Sequence, residues 1–311
     1  MSGPHLPGIG LPVGLPAAWS NHALLSQVRA SSASATGTNT PPDSSSPSRR
    51  VSESRLARLA ESLATRDWQI LRLVAAHRYL STRQVEEFCF HDHASVSSGA
   101  RSARRVLRRL ARDNLLRSLQ RRVGGVRAGS ASYIWQLAPG GARLLKDLGE
   151  TYRTHEPSIR FLEHCLAIAE VHLVITRLQR TQQHEDAEVQ LEPDCWRAYS
   201  GLGGERRLLR PDLYLRTVST TYEDRWFIEV DRGTESLPTL LKKCALYEAY
   251  RASGQEQSAS GVFPLVVWQM PNAARADRLR QRIIRSHSLT PELYRVVTPD
   301  ELSGLLAGNE S

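Results

Sequence analysis

Arg210-Pro211-Asp212-Leu213-Tyr214-Leu215, followed by Arg225-Trp226-Phe227-Ile228-Glu229-Val230-Asp231-Arg232-Gly233, is the stretch on which the reading of the fold turns. Both segments read as strands: short, rich in aromatic and branched residues, and bounded by polar and Gly punctuation. In the second, Trp226, Ile228 and Val230 fall on one face, and Phe227, Glu229 and Asp231 on the other. Two carboxylates are therefore aimed the same way at the end of an apolar strand. Burying a carboxylate is costly unless it is paired or bound to a metal. A neighbouring strand entered through Pro211-Asp212 brings a third acid to the same edge. Three convergent oxygens suit a hard divalent ion such as Mg²⁺ or Mn²⁺, which can activate water and stabilise a phosphoryl transition state. The alternative is a set of structural acids, for which Arg210, Arg225 and Arg232 are the nearest partners in sequence.

Around this hairpin the pattern continues in alternating elements. A long helix over about 159–182 is apolar on most faces, as a buried helix is. Strands follow near 188–191, 213–217 and 226–230, then a helix over about 237–253. A continuous apolar strand at Pro264-Leu265-Val266-Val267-Trp268 precedes a helix over 273–286 and a last strand at 294–297. An α-β-β-β-α-β-α-β order predicts a mixed sheet covered by helices on both sides.

Toward the N-terminus the charge distribution separates a second domain. The chain of 311 residues carries a net charge of +9. Residues 101–127 hold ten Arg against one acid, Asp113, and the rest of the chain balances at 31 basic and 31 acidic residues. All the excess positive charge thus sits in one segment, which points to a polyanionic partner. Within it a helix over about 98–116 places Arg101, Arg104, Arg105, Arg108 and Arg112 on one stripe, with Ala103, Val106, Leu107 and Leu110 opposite. Two helices precede it, one beginning at Thr65-Arg66-Asp67-Trp68 and one at Ser81-Thr82-Arg83-Gln84. Strands at 115–119 and 133–137 follow, joined by a Gly/Arg-rich turn holding Arg121, Arg122 and Arg127. Three helices and then a hairpin is the order of a winged helix-turn-helix, whose recognition helix enters the major groove. Arg on that helix can contact phosphates or guanine edges.

Residues 1–50 are Ser, Pro, Gly, Thr and Ala in no periodic order and read as a disordered leader. The expected domains are therefore 1–50, a winged-helix domain over 51–150 and an α/β domain over 155–303, giving an α+β class overall. No run of 18 apolar residues exists, which excludes a membrane helix. The four cysteines form no C-x-x-C pair, so a reducing cytoplasm is the default compartment. His91-Asp92-His93 lies in a polar loop and offers little as a catalytic pair.

Pro-Asp, about sixteen residues, then Glu-x-Asp resembles the PD-(D/E)XK nuclease motif. Within that superfamily, R-P-D-L-Y-L followed by F-I-E-V-D-R-G-T-E-S looks like the replication-relaxation family of actinobacterial, often plasmid-associated proteins. The resemblance covers roughly residues 66–300. It implies a restriction-endonuclease-like mixed sheet flanked by helices, with Asp212 and Glu229 as Mg²⁺ ligands and Glu170, or else Glu163, as the acid from the first helix. Asp231 stands where the nuclease Lys usually is. Some members of the superfamily carry that Lys on the following helix, where Lys242 and Lys243 are two of only three lysines in the chain. The resemblance implies a DNA-binding protein with a Mg²⁺-dependent nicking or cutting domain, acting in plasmid replication, relaxation or transfer. A homodimer and plasmid replication or transfer proteins are candidate partners besides DNA. The rival reading is a DNA-binding regulator whose nuclease-like domain is an inactive scaffold.

Overall fold

Helix starts in the N-terminal part of the chain are fixed by short polar side chains bonding back to the backbone. The computed structural model describes residues 52–92, 95–119, 133–147, 157–181, 184–201, 203–219 and 222–308, and these group into two compact units divided between Leu173 and Val174.

In the first unit, α1 spans Glu53–Ser62 and α2 spans Thr65–His77. The Asp67 carboxylate accepts the Ala64 backbone N–H at 2.9 Å, satisfying one of the orphan donors of a helix start. Strand β1 (Leu80–Ser81) leads into α3 (Thr82–Cys89). Here the Ser81 hydroxyl accepts the Gln84 N–H at 3.2 Å, while the Gln84 side chain accepts the Ser81 N–H at 2.9 Å. This reciprocal capping is the start that the sequence announces. Helix α4 runs Val96–Arg112 and stops four residues short of the expected 116, because Asn114 turns to φ 58° and redirects the chain into β2, Leu116–Leu119. Strand β3 (Ile134–Leu137) pairs antiparallel with both β1 and β2, giving the order β1-β3-β2. The expected turn with Arg121, Arg122 and Arg127 lies outside the described residues. Helix α5 (Pro139–Asp147) follows. Ile70, Leu71, Phe88, Leu107, Leu110 and Leu137 form the core.

The long apolar helix, α6, spans Ile159–Arg180. The sequence reading placed it wholly in the second domain. Its residues up to Leu173 instead group with the first unit, and Ala169 and Leu173 join that unit's core. Gln84 also donates to the Leu166 carbonyl at 2.8 Å.

The second unit is built on five strands: β4 (Asp186–Leu191), β7 (Leu213–Val218), β8 (Glu223–Val230), β9 (Leu265–Gln269) and β10 (Tyr294–Val297), with the hairpin β5 (Arg197–Ser200) and β6 (Arg206–Leu209) inserted after β4. Their order is β10-β9-β8-β7-β4. The β4-β7-β8 side is antiparallel, and β8, β9 and β10 run parallel. Parallel neighbours need a crossover, usually helical. Helices α7 (Leu237–Ala252) and α8 (Gln255–Ser260) connect β8 to β9, and α9 (Ala273–Ile284) connects β9 to β10. The Ser236 hydroxyl caps α7 and Pro238 sits in its first turn, as the sequence indicates. Helix α10 (Pro299–Leu306) ends the described chain. Tyr214, Phe227, Tyr247, Val266 and Trp268 are the large members of the core on one face of the sheet.

The α+β class and the mixed sheet are thus present as expected. The hairpin β5–β6 and helices α1, α5, α8 and α10 are additions that periodicity did not pick out.

Candidate functional site

Antiparallel register assembles the acid pair. Leu213 pairs with Ile228 and Tyr214 with Phe227. Carried on by one residue, that register sets Asp212 opposite Glu229, on the face that holds Tyr214 and Phe227. Both carboxylates are buried, Asp212 at 5% and Glu229 at 1% exposure. Asp212 Oδ2 accepts the Val230 backbone N–H at 2.8 Å, which locks the end of β8 to the start of β7.

Glu229 receives two side-chain donors from α7. Lys243 Nζ donates to Oε2 at 2.9 Å, and the Tyr247 hydroxyl donates to Oε1 at 2.7 Å. The two donors are one helical turn apart, so they face the strand together. Tyr247 reads from the sequence as packing. Its hydroxyl in fact anchors the carboxylate, and the signal for this was its i+4 spacing from Lys243. Lys242 is exposed, on another face of α7.

Burial, and then the negative charge of Asp212, push the Glu229 carboxyl up to about 7, against the pull of Lys243 and Tyr247. Burial lowers Lys243, but the charges of Glu229 and Asp212 outweigh it and hold the ammonium above its ordinary range. Lys243 is therefore a fixed cation and Glu229 the group that titrates. A carboxyl raised on folding contributes stability below its unfolded value near 4.5, and that stability is lost as pH rises through 7. At about 1.4 kcal/mol per pH unit the loss reaches roughly 3 kcal/mol. Urea denaturation at pH 4.5 and pH 8, without divalent ions, should show this difference between wild type and Glu229→Gln, whose neutral amide does not titrate. Parallel stability curves for the two proteins would show that Glu229 does not titrate in this window.

Asp231 has a different setting. Arg275, on α9, grips it with both arms: Nε donates to Oδ2, and Nη2 donates to Oδ1 at 3.1 Å. Nη2 also donates to the Glu235 carbonyl. Of the arginines nearest in sequence, Arg210 lies over the Trp196 ring and Arg225 pairs with Glu223 at 2.5 Å.

The third metal acid expected from α6 is not delivered by Glu170. Its carboxylate takes Gln84 Nε2 at 2.6 Å and is paired with Arg83, both on α3. Among the described residues no group of three or more His, Cys, Asp or Glu side chains is placed to hold a metal. The acid pair itself matches the donor chemistry of Mg²⁺, which takes one or two carboxylates and keeps waters or substrate phosphates at its other positions. Each Glu229 oxygen accepts one donor and retains a second lone pair.

In the first unit, Arg101, Arg104, Arg105, Arg108 and Arg112 are all exposed, and Ala103, Leu107 and Leu110 are buried on the other side of α4. The first four have no carboxylate partner among the described residues, and Arg112 Nε lies 3.9 Å from Asp113. Arg109, off the stripe, pairs with the buried Asp67 instead. The spare charge is thus concentrated on one solvent-facing side of α4. Of the histidine pair, His91 is exposed and His93 lies outside the described residues.

These features define a two-unit α+β protein with an exposed basic helix in one unit and a buried acid pair with a fixed ammonium in the other. The replication-relaxation family model matches residues 71–266, more than half of the chain, and the chain belongs to that family. No curated protein and no solved structure matches it. No helix among the described residues is long and apolar enough to cross a membrane.

Proposed function

We propose that this protein binds duplex DNA through the Arg face of α4, as the recognition helix of a winged helix-turn-helix. We further propose that its second unit nicks or cuts that DNA in plasmid replication, relaxation or transfer. One observation carries the hydrolytic reading: Asp212, Glu229 and the Lys243 ammonium meet at one strand edge, although Asp231 occupies the nuclease Lys position in the sequence. The succession of α6, sheet strands β4, β7 and β8, crossover helix α7 and sheet strand β9, together with family membership, supports the same reading.

Asp212 and Glu229 would hold the divalent ion. When bound, such an ion supplies Lewis acidity toward a phosphoryl oxygen and lowers the pKa of water. The chain's own groups do the rest. Lys243 presents a fixed positive charge and N–H donors to a phosphate oxygen or an attacking water, with no reorganisation needed at the moment of reaction. Tyr247 holds Glu229 in place. Burial, and then the charge of Asp212, raise the Glu229 carboxyl, and a bound cation would favour its ionised form. Ion binding competes with its proton, so binding should weaken as pH falls below 7.

The test is incubation with supercoiled plasmid, with and without Mg²⁺ or Mn²⁺, followed by gel analysis of topology. Nicked or linear product that requires the ion and disappears in Glu229→Gln supports hydrolysis. If wild type neither cuts nor gains thermal stability from the ions by mass action, the second unit is a scaffold and the protein a DNA-binding regulator.

DNA binding has its own test. Each phosphate contact contributes about 0.9 to the slope of log affinity against log salt. Arg104→Ala with Arg108→Ala should lower that slope by up to about 1.8 and weaken binding. Weakening on one DNA sequence alone, with the slope kept, would mean that these side chains read bases. No change in either quantity removes α4 from the interface.

A further inference from the structure

The β5–β6 hairpin presents an outward face that the acid site does not use. Register pairs Ala198 with Leu208 and Ser200 with Arg206. Carried on by two residues, it sets Trp196 beside Arg210, and the Arg210 guanidinium lies 4.9 Å from the Trp196 ring centre. Arg206, Leu208 and Arg210 therefore share one face, all exposed, Leu208 at 40%. Arg206 and Arg210 have no carboxylate partner among the described residues, whereas Arg207, on the opposite face, pairs with Glu205. The Trp196 indole N–H is buried without a hydrogen-bond acceptor among the described residues, and the ring is held by packing against the core of the second unit. The hairpin is also tied to the acid pair. Arg210 precedes Pro211-Asp212 in the chain, and the Cys195 thiol donates to the Pro211 carbonyl at 3.0 Å.

We propose that this ribbon is a second DNA-contacting element, docking its Arg206–Leu208–Arg210 face on duplex DNA beside the phosphodiester offered to Asp212 and Glu229. The proposal rests on the DNA-acting reading above and adds the element that positions substrate at the second unit. Arg206 and Arg210 are four residues apart, about 13 Å along a strand. That matches the major-groove width of about 12 Å, into which a two-stranded ribbon fits, so the two cations can reach phosphates on either side. Stacking on Trp196 orients the Arg210 fork, since guanidinium packs on aromatic faces and meets phosphate through paired N–H groups.

Two measurements on the full chain test this without relying on cleavage. Arg206→Ala with Arg210→Ala should lower the salt slope of duplex binding by about 1.8 while leaving the melting temperature unchanged. Leu208→Cys places an accessible thiol on the ribbon, and all four native cysteines are buried. Saturating duplex DNA should slow its maleimide labelling at least tenfold. A wild type that binds no duplex defeats the parent reading and this one together. A wild type that binds, with the double-variant slope intact and labelling at Leu208→Cys unprotected, overturns the ribbon alone.

Discussion

Lys243→Met should reduce DNA cleavage by about 10²–10³-fold while leaving duplex affinity near that of wild type. The magnitude is that of removing one preorganised electrostatic donor from a reaction centre. The methionine keeps the length and apolar contact of the lysine stem and deletes only the charge, which lies 2.9 Å from Glu229 and 5.9 Å from the Trp268 ring centre. Affinity should hold because the Arg face of α4 is untouched. Lys242→Met is the matched control: the neighbouring lysine is exposed and makes no contact with the acid pair, so it should cut at the wild-type rate. The two single variants decide which of two adjacent lysines takes the part that Asp231 leaves vacant in the sequence motif. Equal loss in both, or in neither, would sink the assignment to Lys243. With the ammonium gone, Glu229 loses its cationic partner beside Asp212. The variant should therefore bind Mg²⁺ at least as well as wild type even as it fails to cut, which separates positioning of the ion from the chemistry.

What the sequence could say about this site follows from which constraints are local. Strand alternation is local, and it correctly put Phe227 and Glu229 on one face and Trp226, Ile228 and Val230 on the other. Helix capping is local too: Ser81 with Gln84 and Ser236 with Pro238 mark their helices in the sequence and in the structure. Partners across the fold are not local. Arg275 lies 44 residues from Asp231, and nothing in the spacing of either residue favours it over Arg232 next door. Lys242 and Lys243 differ only in the face of α7 they occupy, which becomes decisive once Cys244 and Tyr247 are known to be buried. Glu163 and Glu170 share a face of α6, yet periodicity is silent on what packs against that face, here α3 with Arg83 and Gln84. The β5–β6 hairpin escaped notice because its strands are four residues each and Arg-rich, joined by a Gly-rich turn that reads simply as loop. Helix α1 follows directly on a Ser-, Pro- and Gly-rich segment, which masked its own apolar spacing.

Arg275→Met should destabilise the folded protein by about 3–5 kcal/mol, because deleting one member of a buried, bidentate pair leaves the other charge uncompensated. Asp231 is 7% exposed, and the Arg275 side chain is itself largely covered. The damage should be shared, since Arg275 also ties the Glu235 carbonyl, just before α7, to α9. Adding Asp231→Asn should recover part of the loss. The double variant has no stranded charge, and the size of the recovery measures the coupling between the two residues. This pair of variants also settles what Asp231 is for. Both of its oxygens accept from Arg275, and the expectation is that it serves as a strut two residues beyond Glu229. The double variant, assayed well below its melting temperature, should then cut DNA at a rate within a few-fold of wild type. A double variant that is stably folded, binds duplex normally and yet cuts nothing would put Asp231 among the reacting groups, and the nuclease Lys position would prove to be functionally occupied by an acid.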